Sequence, residues 1–284
     1  MKVVTLLPAA TEIVCALGLR EQLAGRSHEC DHPADVASLP ALTRARVDSS
    51  LASGPLDDDV RRLLQTGLPL YELDEERLHA IAPDVVVTQA ACEVCAVSYD
   101  QVAAVTRRAA PHATVVSLEP TRLADVIADV RRVARSCGVA DRGEAVASSL
   151  EARLAALRVR TPARRPRVAV VEWLEPPMLA AHWVPDVIEA AGAEPVGPAA
   201  GGPSPYVTWD DIAALRPDAL VVAPCGFDLD RTRREAAPFE IQLAGLAPHV
   251  RLMDGNAYWN RPGPRLVEAA ENLAQWLGTL DQAF

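Results

Sequence analysis

Hydrophobic positions recur along this chain in two alternating patterns, short β-branched runs and longer one-sided stretches. The longest one-sided stretch runs from Thr121 to Thr161. Leu123, Val126, Ile127, Val130, Val133 and Ala134 repeat at the i, i+3, i+4 spacing of a helix with one apolar face. After Cys137-Gly138 a second run sets Val146, Leu150, Leu154 and Leu157 among charges. Gly138 is expected to end the first helix and Asp141 to cap the second. From Asp141 to Arg160 that second helix spans about 20 residues and roughly 30 Å, enough to cross a small domain. With α/β patterning on both sides, the stretch reads as a strut joining two lobes.

The flanks supply the lobes. Val3 to Leu7 reads as a buried strand, and Pro8-Ala9-Ala10-Thr11-Glu12 turns into a helix over Ile13 to Leu19, with Thr11 as its cap and Gly18 near its end. Leu23 to Arg26 is a short second strand, and Leu56 to Leu64 a short helix. Leu73 to Thr88 then predicts a helix, a Pro83-Asp84 corner and a strand. Trp209 to Ala223 repeats that order, spacing and corner with Pro217-Asp218. A second echo links Pro8 to Leu19 with Pro185 to Gly192, another proline-started helix ending at glycine. Glu12 and Glu189 each fall near a helix start in this reading, where their charge complements the helix dipole. Val168 to Glu172 and Val250 to Met253 are further strands, 197–206 is a Gly- and Pro-rich loop, and Arg265 to Leu277 is a closing helix. The expected fold class is α/β: two related lobes with parallel sheets around a long central helical strut. The expected boundaries are residues 1–120, 121–161 and 162–284.

Composition narrows the function. At 284 residues, 50% hydrophobic and 23% charged, the chain has the balance of an ordinary globular protein with room for two cores. A net charge of -10 argues against a nucleic-acid partner, because phosphate binding needs a basic face. Lys2 is the only lysine, which reflects arginine-rich usage rather than a docking surface. No apolar run is long enough to span a membrane, so no membrane insertion is expected. The apolar start Val3 to Leu7 is too short for a signal sequence, so a cytoplasmic location with six reduced thiols is the expectation. A trimmed exported protein would begin in the same way.

In open parallel sheets ligands bind beyond the carboxyl ends of strands, and the chain's reactive side chains cluster in such loops. Ser27-His28-Glu29-Cys30-Asp31-His32-Pro33 follows the second strand with five groups able to hold a metal or move a proton, though a solvated loop has the same look. Cys92-Glu93-Val94-Cys95 and Pro224-Cys225 follow two corner strands. If the lobes face each other, Cys30, Cys92, Cys95 and Cys225 form a four-thiolate set of the kind that holds zinc or an iron–sulfur cluster. Cys15 and Cys137 lie on helical faces and are assigned to packing. Trp173, Trp183, Phe227, Tyr258 and Trp259 all fall in strand-end loops, while aromatics make up only 4% of the chain. They suit either a flat, apolar ligand or a lobe interface. A G-x-S-x-G elbow and a P-loop glycine pattern are both missing, which weakens a hydrolase reading.

Taken together, Val4 to Glu12, Ser27 to Pro33, Pro83 to Val87, the central helix and Arg261-Pro262-Gly263-Pro264-Arg265 resemble the helical-backbone (class III, TroA-like) substrate-binding proteins of ABC importers. Within them the chain is most similar to the cobalamin (vitamin B12) branch, over nearly its whole length. The resemblance implies two Rossmann-like lobes joined by a rigid backbone helix, a ligand held in the interlobe cleft with little hinge closure, and binding without catalysis. It implies ligand contacts from Pro8, His28, Glu29, Asp31, Glu93, Trp173, His182, Trp183, Phe227 and Trp259, with His28, His182 or a thiolate as the groups that reach cobalt. The partner would be an ABC importer or a corrinoid-handling protein. The competing expectation is a metalloprotein that holds an iron–sulfur cluster or zinc through the four cysteines and has redox or sulfur chemistry.

Overall fold

The computed structural model describes residues 1–66, 68–89, 99–158 and 164–280. The chain divides into two compact units, the first comprising Met1–Leu51, Asp58–Pro120 and Asp125–Ser148, the second Ala52–Asp57, Thr121–Ala124 and Ser149–Phe284.

The first unit is built on β1 (Val3–Thr5), α1 (Pro8–Ala16), β2 (Leu23–Gly25), β3 (Thr43–Ala45), most of α2 (Ser53–Gln65), β4 (Tyr71–Leu73), α3 (Glu75–Ile81), β5 (Val85–Gln89), α4 (Tyr99–Ala109) and β6 (Thr114–Leu118). Its main sheet runs β2-β1-β5-β6 with every neighbour parallel, and β3 and β4 form a separate antiparallel pair. The central strands are β-branched and buried along their whole length, as expected of a parallel sheet covered on both faces. Val4, Leu6, Val86, Val102 and Leu78 share one core on a face of this sheet.

Two helices follow, α5 (Leu123–Ser136) and α6 (Ala140–Arg158), and the division between units falls inside α6. The one-sided face of α5 is buried from Leu123 to Ala134 as its spacing predicts. Gly138, at φ +69°, closes the helix as expected, but Asp141 lies in the first turn of α6 rather than capping it, because the helix already begins at Ala140.

The second unit contains β7 (Arg167–Leu174), β8 (Pro177–Leu179), α7 (Val184–Ala190), β9 (Glu194–Pro195), α8 (Trp209–Ala214), β10 (Ala219–Val222), α9 (Leu229–Ala236), α10 (Glu240–Leu246), β11 (His249–Leu252) and α11 (Leu266–Gly278). β9, β7, β10 and β11 are parallel in that order, and β8 runs antiparallel beside the far end of β7.

The two echoes in the sequence are structural. α3 ends in Ala82 at φ +47° and α8 is followed by Arg216 at φ +48°, each immediately before a Pro-Asp pair. A residue before proline is pushed out of the helical region, so the helix must stop there. Asp84 then accepts the Lys2 N–H at 2.7 Å, and Asp218 accepts the Arg167 N–H at 2.8 Å. Each carboxylate thus fixes the entry of the neighbouring parallel strand. The proline-started helices also match: α1 and α7 close through Gly18 (φ +71°) and Gly192 (φ +86°), positions where a side chain would be strained.

The sequence placed α1 too late. The helix begins at Pro8, where a missing N–H costs nothing, so Thr11 lies inside it rather than at its cap. Glu12 is consequently in the second turn and buried, and Glu189 is in the last turn of α7, so neither sits at a helix start.

Candidate functional site at the strand ends

The first unit presents a hydrogen-bonded polar edge. Beyond β1, the Thr5 and Thr11 hydroxyls share a hydrogen bond of 2.6 Å, and Thr11 donates to Cys30 Sγ at 3.0 Å. Cys30 is only 2% exposed and its N–H is held by the Ser27 carbonyl at 3.2 Å. Pro8 is partly buried at the start of α1.

The loop after β2 is held from two sides. Arg26 donates to the Ser27, His28 and Ala37 carbonyls at 2.9, 3.2 and 2.8 Å. Opposite it, the Thr43 hydroxyl accepts the His28 N–H at 3.0 Å, lies 2.7 Å from His28 Nδ1 and donates to Ser27 Oγ at 3.0 Å. The His28 ring stands 5.6 Å from Tyr71 in a tilted pair, with its Nε2 3.7 Å from Glu29 Oε1. Burial, reinforced by Arg26, holds His28 below the ordinary histidine range, so the ring is neutral at pH 7. Glu29 and Asp31 are exposed on the same loop.

The second unit presents an aromatic edge. Trp173, at the end of β7, packs on Phe227 in a tilted pair with centroids 5.1 Å apart. The Arg231 guanidinium lies 3.7 Å from the Phe227 centroid, and Arg231 lies 3.8 Å from Glu235. Trp173 Nε1–H is given to the Glu175 carbonyl at 3.2 Å. Trp183 donates to the Trp259 carbonyl at 2.9 Å and stands 5.6 Å from the His182 ring. Phe227 and Trp259 are each 1% exposed, whereas Trp173, His182 and Trp183 are partly exposed. The buried Phe227 ring therefore backs the partly exposed Trp173 ring, and the Trp183 indole is tied to the backbone at Trp259. His182 has φ +48°, held by hydrogen bonds of its own backbone with Gly201 and Gly202, and burial lowers its pKa.

Cys92, Glu93 and Cys95 lie outside the described residues, and Cys30 and Cys225 belong to different units. Among the described residues no group of three or more His, Cys, Asp or Glu side chains is arranged to hold a metal ion. Burial pushes the Cys15 thiol up to about 11 and raises Cys137, which suits the packing roles expected of both. No described helix is long and apolar enough to cross a membrane.

Two contributors to these edges escaped the sequence pattern. Thr43 sits 15 residues beyond His28 in an irregular stretch, and no periodic signal marks it. Arg231 was not named either, and its one local signal is its place three residues after Asp228, the cap of α9 that accepts its N–H.

A model of the family described as periplasmic binding protein matches residues 3–243. No curated protein matches the chain. Among solved structures, the periplasmic heme-binding protein RhuT from Roseiflexus sp. RS-1 is 22% identical, with 96% of each chain covered and a TM-score of 0.70. The periplasmic vitamin B12 binding protein BtuF of Vibrio cholerae is 17% identical over 99% of this chain and 97% of its own, also at 0.70. A periplasmic heme binding protein from Pseudomonas aeruginosa is 20% identical over 96% and 91%, at 0.69. At such identities these likenesses establish the fold alone, an α/β fold with two sheet-containing lobes.

Proposed function

Because this chain belongs to the periplasmic binding protein family, we propose that it binds a flat metal chelate of the corrinoid type, cobalamin or a close relative, and performs no catalysis on it. The observation that carries this reading is the aromatic edge of the second unit, where the partly exposed Trp173 packs on buried Phe227 and the partly exposed Trp183 is held by its N–H on the Trp259 carbonyl. Rings held in place offer area to a macrocycle without the entropy cost of ordering them on binding. Structural neighbours named for vitamin B12 and heme support a planar chelate as the ligand class. As in an ABC transporter substrate-binding protein, the ligand is a small molecule and the partner an ABC importer.

The test is retention. Purified protein is mixed with aquocobalamin, or separately with hemin, and desalted, and the visible spectrum of the protein fraction is recorded. Retained corrinoid bands with quenched tryptophan fluorescence are expected. Trp173→Ala should weaken binding up to about tenfold, since a stacked aromatic contact contributes about 0.5–1.5 kcal/mol. Retention of hemin alone would move the assignment to a heme; retention of neither would overturn it.

A further inference from the structure

We propose that the second unit carries a self-complementary contact for a second copy of this chain, made by a groove between α9, α10 and β11 and by Ile241 on its flank. The contact is independent of any ligand at the strand ends.

The groove follows from short side chains. Ala236 ends α9, Ala237 opens the turn after it, and Ala244 and Ala247 lie on and just beyond α10. These methyl groups are too short to fill the space beside β11, and a groove of about 450 Å³ stays open over Leu243, Val250 and Leu252. Those three belong to the second unit's core or pack against it, so apolar core reaches solvent here, entirely within one unit. Glu240 and Ala244 face the groove from α10, and Ile241 stands roughly 60° further round that helix from Ala244. Ile241 is 91% exposed, the most exposed large hydrophobic among the described residues. One turn on, Gly245 has no atom within 4 Å of where a Cβ would lie, so this flank of α10 is bare among the described residues.

A single exposed isoleucine needs no partner, but one that projects beside an unfilled apolar groove gives the same patch both a knob and a hole. A two-fold interface requires a patch of this kind, since each copy gives and receives the same side chain. The charges agree. Arg233 from α9 and Glu240 from α10 both line the groove, one of each sign, in a chain whose net charge is -10. The Glu240 side chain has no ion pair or hydrogen bond among the described residues. Arg233 holds Asp230 at 2.8 Å but keeps 59% of its side chain exposed. A surface suited to a basic partner would be acidic like the chain as a whole, whereas this one suits its own copy, with Arg233 of each meeting Glu240 of the other. Strand addition at β11 is the poorer contact: that edge strand has four residues, follows Pro248 and carries Arg251, features that discourage pairing.

The test is sedimentation velocity of the purified protein from about 1 to about 500 µM, at low salt where rim charges act most strongly; a contact this small implies half-dimerisation at roughly 10–100 µM. Wild type should pass from monomer to dimer over that range. Ile241→Glu should weaken the dimer by at least about a hundredfold, since each dimer buries two of these side chains. Its denaturation midpoint should match wild type, because Ile241 is exposed. Arg233→Glu and Glu240→Arg should each weaken the dimer by about tenfold, by setting like charges opposite each other twice. Mixing those two variants should restore a dimer of wild-type strength, since opposite charges then meet at both contacts, a recovery that no change within one copy produces. Monomer at every concentration overturns the proposal, and a dimer that appears only after residues 281–284 are removed would assign the groove to the chain's own end instead. A dimer unaffected by Ile241→Glu, or charge variants that do not recover on mixing, would put the contact on another surface and overturn it as well.

Discussion

The two units share a sheet order and differ in what that sheet carries at its carboxyl edge. At the amino end they are nearly interchangeable: a left-handed residue, a proline and an aspartate whose carboxylate takes the N–H leading into the adjacent strand, in Asp84 and again in Asp218. At the opposite end the first unit offers Thr5, Thr11, Ser27, His28 and Thr43 in hydrogen-bonded contacts, and the second offers Trp173 on Phe227 and Trp183 bonded to the Trp259 carbonyl. The amino end is constrained because backbone groups entering a buried sheet must be satisfied. The carboxyl-end loops carry no such obligation, so one edge can be polar and the other apolar on the same scaffold.

The largest effect that tests this contrast comes from glycine. A Cβ at Gly255 would lie 2.1 Å from the Pro224 carbonyl oxygen and 2.7 Å from Ala223 backbone atoms. Backbone of the β10 exit loop cannot give way, so Gly255→Ala is expected to cost more than about 4 kcal/mol and to unfold the second unit's edge. Gly25→Ala in the first unit meets only side-chain ends, Leu42 Cδ1 at 2.4 Å and Ile81 Cδ1 at 3.0 Å, and should cost about 1–3 kcal/mol by overpacking. Urea denaturation of the two variants gives the ranking, and an equal cost would contradict the rigid second edge.

A second effect separates the units by pH. Asp129, on α5 in the first unit, is 2% exposed and has no hydrogen-bond partner on Oδ2. Burial raises its pKa to about 7; Arg132 at 3.5 Å opposes the shift, and Asp125 and Glu119 add to it. The folded protein thus binds a proton between about pH 4 and 7 that the unfolded chain has released, and stability falls as pH rises through that window. At about 1.4 kcal/mol per pKa unit, the loss amounts to a few kcal/mol between pH 4 and 8. Asp129→Asn should be the more stable protein at pH 8 and should flatten the dependence. Denaturation midpoints that vary equally with pH in both proteins would show that Asp129 is not the group responsible.

Much of the scaffold was legible because its signals are local. The α5 stripe, the two Pro-Asp corners and the glycine that ends α5 each follow from a few neighbouring residues and elementary backbone sterics. The start of α1 was misplaced because Thr11 looks like a cap; its hydroxyl is instead part of a contact with Cys30, 19 residues away. The edges were legible as residue types and not as geometry. Trp173, Trp183 and His28 were named, but Phe227 and Trp259 were ranked with them although the structure buries both. Thr43 was missed because its role depends on β3 coming beside the β2 loop, a non-local pairing that leaves no periodicity in sequence. The cysteine set could be proposed only by assuming convergence, and two of its members lie outside the described residues.

The smallest effect concerns the feature the units share. Asp84→Ala and Asp218→Ala each remove a carboxylate that accepts a strand-entry N–H, and an unsatisfied backbone donor there costs about 1–3 kcal/mol when buried and less when water can replace the acceptor. The Asp84 side chain is 53% exposed and the Asp218 side chain 21%, and Asp218 also holds Arg164 at 3.1 Å. Water therefore substitutes more readily at Asp84, and Asp218→Ala should be the costlier change, by about 1 kcal/mol. Asn in place of either aspartate keeps an acceptor oxygen and should recover most of the loss, with the smaller recovery at Asp218, whose 3.1 Å pair with Arg164 is closer than the 3.8 Å pair of Asp84 with the Met1 amino group. Hydrogen exchange of the Lys2 and Arg167 amides reads each corner directly. Equal protection losses at the two amides would mean that solvent exposure does not set the strength of this corner, and that the resemblance between the units extends to its energetics.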